Sequence, residues 1–565
     1  MSKKIAIGIQ SFADLREKEC FYIDKTDFIR EWWKNNDSVT LITRPRRFGK
    51  TMNMSMIESF FSVDYANRAD LFEGLSIWKD EKYRALQGTY PVIFLSFANV
   101  KETDYLSARE RICRLISEVY NKNWFLLESG LLKDNEKADF LNVTNKKTQM
   151  SDEEAGMALH SLSGYLSRYY GKKVIILLDE YDTPMQEAYV SGYWNQMVAF
   201  TRGLFNSTFK TNPYLERGIM TGITRVSKES VFSDLNNLEV VTTTSEKYST
   251  AFGFTEKEVF AALDEYGYSD RKEDVKYWYD GFTFGSYTDI YNPWSILNFL
   301  DKGKFDTYWA NTSSNSLVGK LIREGNRRVK TLFEDLLCGK DIYCPFDEQI
   351  IYNYLDNNES AIWSLLLASG YLKVVDKEEK RDAGQKTMYA LRLTNAEVLD
   401  MFCDIVRGWF DEPRGSYNDF VCALLVGDLK AMNHYMNKVA LETFSYFDTG
   451  SAPSGTEPER FYHGFVLGLL VDLRGRYEIL SNRESGFGRY DVMLKPCDIQ
   501  KDDAFILEFK VHDPEDEKTL QDTVNAAHEQ IEKKQYASEL ISEGIPAERI
   551  HKYGFAFEGK KVLIG

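Results

Sequence analysis

Two groups of residues in this chain have the types and spacing that chemistry demands. The first is Arg44-Pro45-Arg46-Arg47-Phe48-Gly49-Lys50-Thr51, preceded by the apolar run Val39–Thr43 and followed by a helical pattern from Met52. A strand that turns directly into a helix leaves backbone N–H groups unpaired at the helix N-terminus, where phosphate oxygens can be held. Arg46, Arg47, Phe48, Gly49, Lys50 and Thr51 would form that cradle. Lys50 would reach β and γ oxygens of a nucleotide, and the Thr51 hydroxyl would ligate Mg²⁺. The first glycine of the common GxxxxGK[ST] pattern is Arg44 here, so the entry turn must be built differently. Further on, Val174–Leu178 ends in Asp179-Glu180. Adjacent acids at the end of a buried strand lie at the carboxyl edge where open α/β sheets bind ligands. Asp179 would complete the Mg²⁺ shell and Glu180 would orient or deprotonate an attacking water; alternatively, the two acids cap the following helix. A third apolar run closes in Gly222-Ile223-Thr224-Arg225. Arg225 stands either as a sensor of γ-phosphate charge or as half of a surface or interdomain salt bridge.

The second group is Asp491 at the head of Val492-Met493-Leu494, followed after a polar turn by Ala504-Phe-Ile-Leu-Glu508-Phe-Lys510-Val511. Residues i and i+2 of a strand share a face, so Glu508 and Lys510 point one way and Phe509 the other. If the two strands pair as a hairpin, Asp491 falls beside Glu508 at one edge. Two carboxylates can then hold Mg²⁺ or Mn²⁺ while the ammonium orients water or stabilises phosphorane charge. That is the chemistry of metal-dependent phosphodiester cleavage. Glu-x-Lys on a solvated strand face is the plainer alternative.

The elements that must position these groups follow from hydrophobic patterning. Val39–Thr43, Pro91–Phe97, Lys173–Leu178 and Glu216–Gly222 are near-continuous apolar runs, as a parallel sheet covered on both faces requires, and helical stretches such as Met52–Phe61 and Tyr105–Tyr120 lie between them. The alternation predicts an α/β fold with a P-loop NTPase-type parallel sheet over residues 1–285. A mostly helical middle region, 286–447, contains the apolar helix Ala361–Gly370 and a hairpin, Tyr371–Val375 with Met388–Leu393, around the charged loop Asp376–Gln385. Helix then hairpin is consistent with a winged helix, read here as a packing element rather than a DNA reader. Asp448–Thr456, rich in Gly, Ser and Pro, predicts a linker, and residues 457–565 a second α/β unit with a polar helix over Asp516–Tyr536.

Composition narrows the function classes. The 565 residues carry a net charge of −16, so no general polyanion-binding surface is expected. Residues 457–565, with 15 basic and 21 acidic side chains, are also acidic, which argues against tight duplex binding but not against a metal-filled site. Seven cysteines are dispersed with no CxxC pair, which disfavours structural zinc and fits a reducing cytoplasm. No apolar run reaches the roughly 20 residues of a membrane span.

The loop at 44–51, Leu178-Asp-Glu-Tyr-Asp182, Thr221-Gly-Ile-Thr-Arg225, Trp278-Tyr-Asp-Gly-Phe282 and Tyr291-Asn-Pro-Trp-Ser295, in that order, resemble the bacterial AAA-ATPase-like family over roughly residues 4–290. The resemblance implies an ATPase core and commonly a C-terminal nuclease-like domain. Residues 457–565 resemble the PD-(D/E)xK nuclease superfamily at Asp491, Glu508 and Lys510, although Tyr490 replaces the proline of its name. That likeness implies Glu459 as an additional metal ligand and Gln530 with Tyr536 as the extra motif of some subgroups. The expected function is an ATPase coupled to a metal-dependent nuclease acting on DNA or RNA, with ATP and Mg²⁺ or Mn²⁺. The alternative is a nucleotide-dependent switch or scaffold whose C-terminal site only binds. A homo-oligomer or a protein partner is a further expectation.

Overall fold

The computed structural model describes residues 3–225, 232, 235–312, 316–346, 359–378, 387–408, 416–447, 465–469, 471–481, 484–485, 488–489, 491–513, 517–558 and 561–565. The chain divides into two compact units, Met1–Val318 with Asp341–Val398, and Gly319–Lys340 with Leu399–Gly565. The expected linker 448–456 and Glu459 lie outside the described residues.

In the first unit, β1 (Val39–Thr43), β2 (Val92–Ser96), β3 (Val174–Asp179), β4 (Leu215–Gly222) and β5 (Leu238–Val241) form one sheet in the order β2-β3-β4-β1-β5. Every neighbouring pair is parallel. All residues of β1 and β3 are buried, which is why their sequences show no polar alternation. Four of these strands match the apolar runs; β5, with three of its four residues only half-buried, does not stand out in the sequence. Because the strands are parallel and β4 lies between β1 and β3, the carboxyl ends of all three meet at one edge. The loop after β1 is tied there by Arg44 N–H donating to Gly222 O at 3.1 Å, and the turn after β3 by Tyr181 N–H donating to Thr221 O at 2.9 Å.

Two small antiparallel sheets complete this unit. One joins β6 (Phe254–Thr255), β8 (Tyr287–Tyr291) and β7 (Phe282–Phe284). The other joins β9 (Ile342–Pro345), β10 (Leu372–Glu378) and β11 (Met388–Leu393) in the order β10-β11-β9. The apolar helix Glu359–Ala368 precedes β10, so the expected helix-then-hairpin order is present. Residues 379–386, the loop that would form a wing, lie outside the described residues.

In the second unit, β12 (Tyr477–Ser481) is followed by the short ladder of β13 (Glu484–Ser485) with β14 (Gly488–Arg489). A mixed sheet runs β12-β15-β16-β17-β18, from β15 (Val492–Pro496), β16 (Ala504–Val511), β17 (Ile550–Glu558) and β18 (Lys561–Ile564). Only β16 and β17 are parallel. The helix Leu520–Lys534 covers one face, burying Ile531 among Met493, Ile506 and Ile550. Thr519 and Asp522 form its capping box, which ends the preceding loop. On the edge strand, Asn433 and Asn437 of the helix Leu429–Phe447 each exchange two hydrogen bonds with the backbone. Asn437 pairs with Val562 at 2.6 and 2.9 Å and Asn433 with Ile564 at 2.8 Å twice, so the side-chain amides stand in for a further strand. No helix among the described residues is long and apolar enough to cross a membrane.

Candidate functional site

The first site lies at the carboxyl edge of the parallel sheet. Gly49 is the N-cap of the helix Lys50–Phe61 with φ of 79°, a conformation glycine adopts without a Cβ clash. Arg44, in place of the usual first glycine, is fully buried. Its guanidinium donates to Thr43 O at 2.9 Å and Thr242 O at 2.6 Å and lies 4.3 Å from the Phe284 ring centroid. The entry turn is therefore held from outside by a side-chain pin rather than by glycine geometry. Arg44→Ala removes the guanidinium bonds to Thr43 O and Thr242 O, and an expected loss of about 2 kcal/mol is checked by urea unfolding.

Lys50 is buried, and its ammonium donates to Arg44 O at 3.0 Å and Pro45 O at 2.9 Å, so it is folded onto its own loop. Burial lowers its pKa, partly offset by the charges of Glu180 and Asp179. Thr51 Oγ1 donates to Asp179 Oδ2 at 2.7 Å, and Thr221 Oγ1 donates to Asp179 Oδ1 at 2.5 Å. The loop hydroxyl and the β3 acid expected to share Mg²⁺ are thus already in contact, and burial raises the Asp179 carboxyl above its usual range. A buried carboxylate beside a hydroxyl is a donor set that suits Mg²⁺. Glu180 has φ of 52° and accepts from Thr183 Oγ1 at 3.3 Å. Arg46, Arg47, Phe48, Gly49, Lys50, Thr51 and Glu180 line one cleft of about 430 Å³. Arg225 is half-buried at the end of the β4 turn, does not line that cleft, and has no ion pair among the described residues.

The second site is built on β15 and β16. Their antiparallel register pairs Val492 with Leu507, so Asp491 is opposite Glu508 one step further. Asp491 Oδ2 accepts from Phe509 N–H at 2.8 Å. Glu508 is 2% exposed, and its Oε2 has no hydrogen-bond partner among the described residues. Burial, and next the negative charge of Asp491, hold the Glu508 carboxyl well above its ordinary range. Gln530 bridges the site: its Oε1 accepts from Lys510 Nζ at 2.8 Å while its Nε2 donates to Glu508 Oε1 and to the Tyr536 hydroxyl at 3.2 Å. An orphaned, buried carboxylate oxygen next to a second carboxylate is what a divalent cation satisfies. Asp491 and Glu508 therefore fit a metal, whereas Glu459 lies outside the described residues.

Residues 6–232 match the family model described as predicted AAA-ATPase, and residues 457–565 match that of the PD-(D/E)XK nuclease superfamily. The chain joins an AAA-ATPase-like domain to a PD-(D/E)XK-superfamily domain. An uncharacterized protein encoded in the vnfD 5' region of Azotobacter chroococcum mcd 1 is 25% identical over 403 residues, which span 70% of this chain and 68% of that protein. In the AAA-ATPase-like domain, sequence reasoning passed over Asp182. This buried carboxylate accepts from Ile223 N–H at 3.0 Å, Thr224 N–H at 2.8 Å and Thr224 Oγ1 at 2.9 Å. It ties the turn after β3 to the residues just before Arg225. A signal was present: a third acid, three residues after Asp179 and directly behind a buried apolar strand, needs partners if it is buried too.

Proposed function

We propose that this chain is an ATP-regulated nuclease. Its AAA-ATPase-like domain binds ATP with Mg²⁺ at Lys50, Thr51 and Asp179, and Glu180 orients the attacking water. Its PD-(D/E)XK domain cleaves phosphodiesters of DNA or RNA at Asp491, Glu508 and Lys510. The observation that carries the reading is the contact of Thr51 with Asp179 beside Lys50, on a cleft lined by the phosphate loop. The Lys50 ammonium donates to the loop carbonyls of Arg44 and Pro45, acceptors that anionic phosphate oxygens can replace with stronger bonds between two charged groups. At the second site, a bound Mg²⁺ or Mn²⁺ supplies charge neutralisation and an acidified water. Lys510, which donates to Gln530 Oε1, would orient a water and balance charge building on the phosphate.

Calorimetry with Mg·ATP tests the first half. Wild type is expected to bind, and Lys50→Ala to lose at least about tenfold in affinity, as removing a charged hydrogen-bond donor predicts. Equal affinities would sink the nucleotide site. Cleavage of single- and double-stranded DNA and RNA, with Mg²⁺ or Mn²⁺ and with or without ATP, tests the second half. ATP binding without cleavage of any substrate would favour a nucleotide-dependent scaffold instead.

A further inference from the structure

The outer wall of the phosphate loop is gripped by segments far away in sequence. The Arg46 carbonyl accepts from Trp309 Nε1 at 3.0 Å and from Asn292 Nδ2 at 3.3 Å. The Arg47 guanidinium lies 4.3 Å from the Trp294 ring centroid. Pro45 packs so closely on Gly370 that a Cβ there would come within 2.8 Å of Pro45 Cγ. Trp309 itself rests between Phe282 and Tyr371, at ring-centroid distances of 5.4 and 5.6 Å, and Phe282 in turn touches Phe48 at 4.7 Å.

One carboxylate anchors this grip. Glu397, in the first turn of the helix Ala396–Gly408, is fully buried. Its Oε1 accepts from Trp309 N–H at 2.5 Å and Ala310 N–H at 3.3 Å, and its Oε2 from Ser295 Oγ at 2.8 Å. Burial pushes the Glu397 carboxyl up to about 7, partly offset by these donors. The carboxylate thus joins the Asn292–Ser295 turn to Trp309, and both ends of that join reach Arg46.

We infer that Glu397 is a positioning residue for the phosphate loop, acting through Trp309 and the Asn292–Ser295 turn to keep the Arg46 carbonyl turned outward. A trans peptide is planar, with its C=O and N–H on opposite sides. Fixing the Arg46 carbonyl toward Trp309 and Asn292 therefore directs the Arg47 N–H the other way, toward the cleft its residue lines. This N–H would be a donor to ATP phosphate, and Glu397 the group that presents it. The inference rests on the nucleotide-binding reading above.

The test combines Mg·ATP calorimetry with amide hydrogen exchange of residues 46–49 in the full chain. Trp309→Phe keeps one aromatic ring against Phe282 and Tyr371 while removing the pyrrole half of the indole with its Nε1 donor. It is expected to weaken ATP binding roughly five- to tenfold, the worth of about one hydrogen bond, and to remove the ATP-induced protection of the Arg47 amide. Glu397→Ala should do the same or more, while Glu397→Gln, which keeps an acceptor for both backbone donors, should restore wild-type affinity and protection. Trp309→Phe and folded Glu397→Ala proteins with wild-type affinity and full Arg47 protection would overturn the inference; if Glu397→Ala fails to fold, Trp309→Phe alone decides. Wild type that binds no ATP would overturn both this inference and the nucleotide reading. Wild-type binding with no effect of Trp309→Phe overturns this inference alone.

Discussion

Asp491→Ala is expected to abolish both the rise in melting temperature on adding Mg²⁺ or Mn²⁺ and all divalent-dependent nicking, with ATP binding unchanged. Asp491 faces Glu508 across the β15–β16 register, and Glu508 Oε2 has no hydrogen-bond partner among the described residues. Two carboxylates brought this close repel until a cation lies between them, so a metal that binds the folded state stabilises it by mass action. Loss of partners outside a metal's own ligands already costs about 10–100-fold, so loss of a direct ligand should reduce cleavage by more than about 100-fold. Thermal scans in EDTA and in saturating metal, beside nicking assays, check both halves. An Asp491→Ala protein that keeps the metal-induced shift would remove Asp491 from the site.

Glu180→Gln should bind Mg·ATP as wild type does while phosphate release falls roughly 10²- to 10⁴-fold, the range for losing a general base. Glutamine keeps the shape and still accepts from the Thr183 hydroxyl, which lies 3.3 Å from Glu180 Oε2. The side chain lines the cleft that holds Lys50 and Thr51, and the change removes its negative charge together with its power to accept a proton. Phosphate release and ATP affinity measured on the same preparation separate binding from turnover. Glu180→Gln turning over at the wild-type rate would exclude Glu180 as the base.

Much of both sites was legible in the sequence because it depends on neighbours in the chain. A buried strand, a loop ending in Gly49-Lys50-Thr51 and a helix are contiguous. So are β3 and its terminal acids, and the alternation that puts Glu508 and Lys510 on one face. The unusual Arg44 announced a different entry turn, but not which one: its acceptor Thr242 is 198 residues away. Asp491 opposite Glu508 required the β15–β16 register, and the turn between those strands has no two-residue signature that would fix it. The fifth strand of each sheet, β5 and β18, escaped notice because edge strands are half-exposed and short.

What the sequence by itself determined is the set of chemical groups and their local order. Apolar periodicity decides where strands and helices form, and motif spacing decides which groups end at a strand edge or a helix N-terminus. What only the tertiary structure decided is which of those groups are satisfied and which are left over. Arg44 became a pin because Thr43, Thr242 and Phe284 surround it; Lys50 turned onto its own loop; and Glu397 came to hold Trp309 88 residues away in sequence. Asn433 and Asn437 closed the β18 edge from a helix more than 120 residues earlier. Among the described residues, Glu508 Oε2 was left without a donor. Hydrogen-bond satisfaction of a buried polar group depends on every element packed around it, so it is written in the assembled fold and not in any one segment.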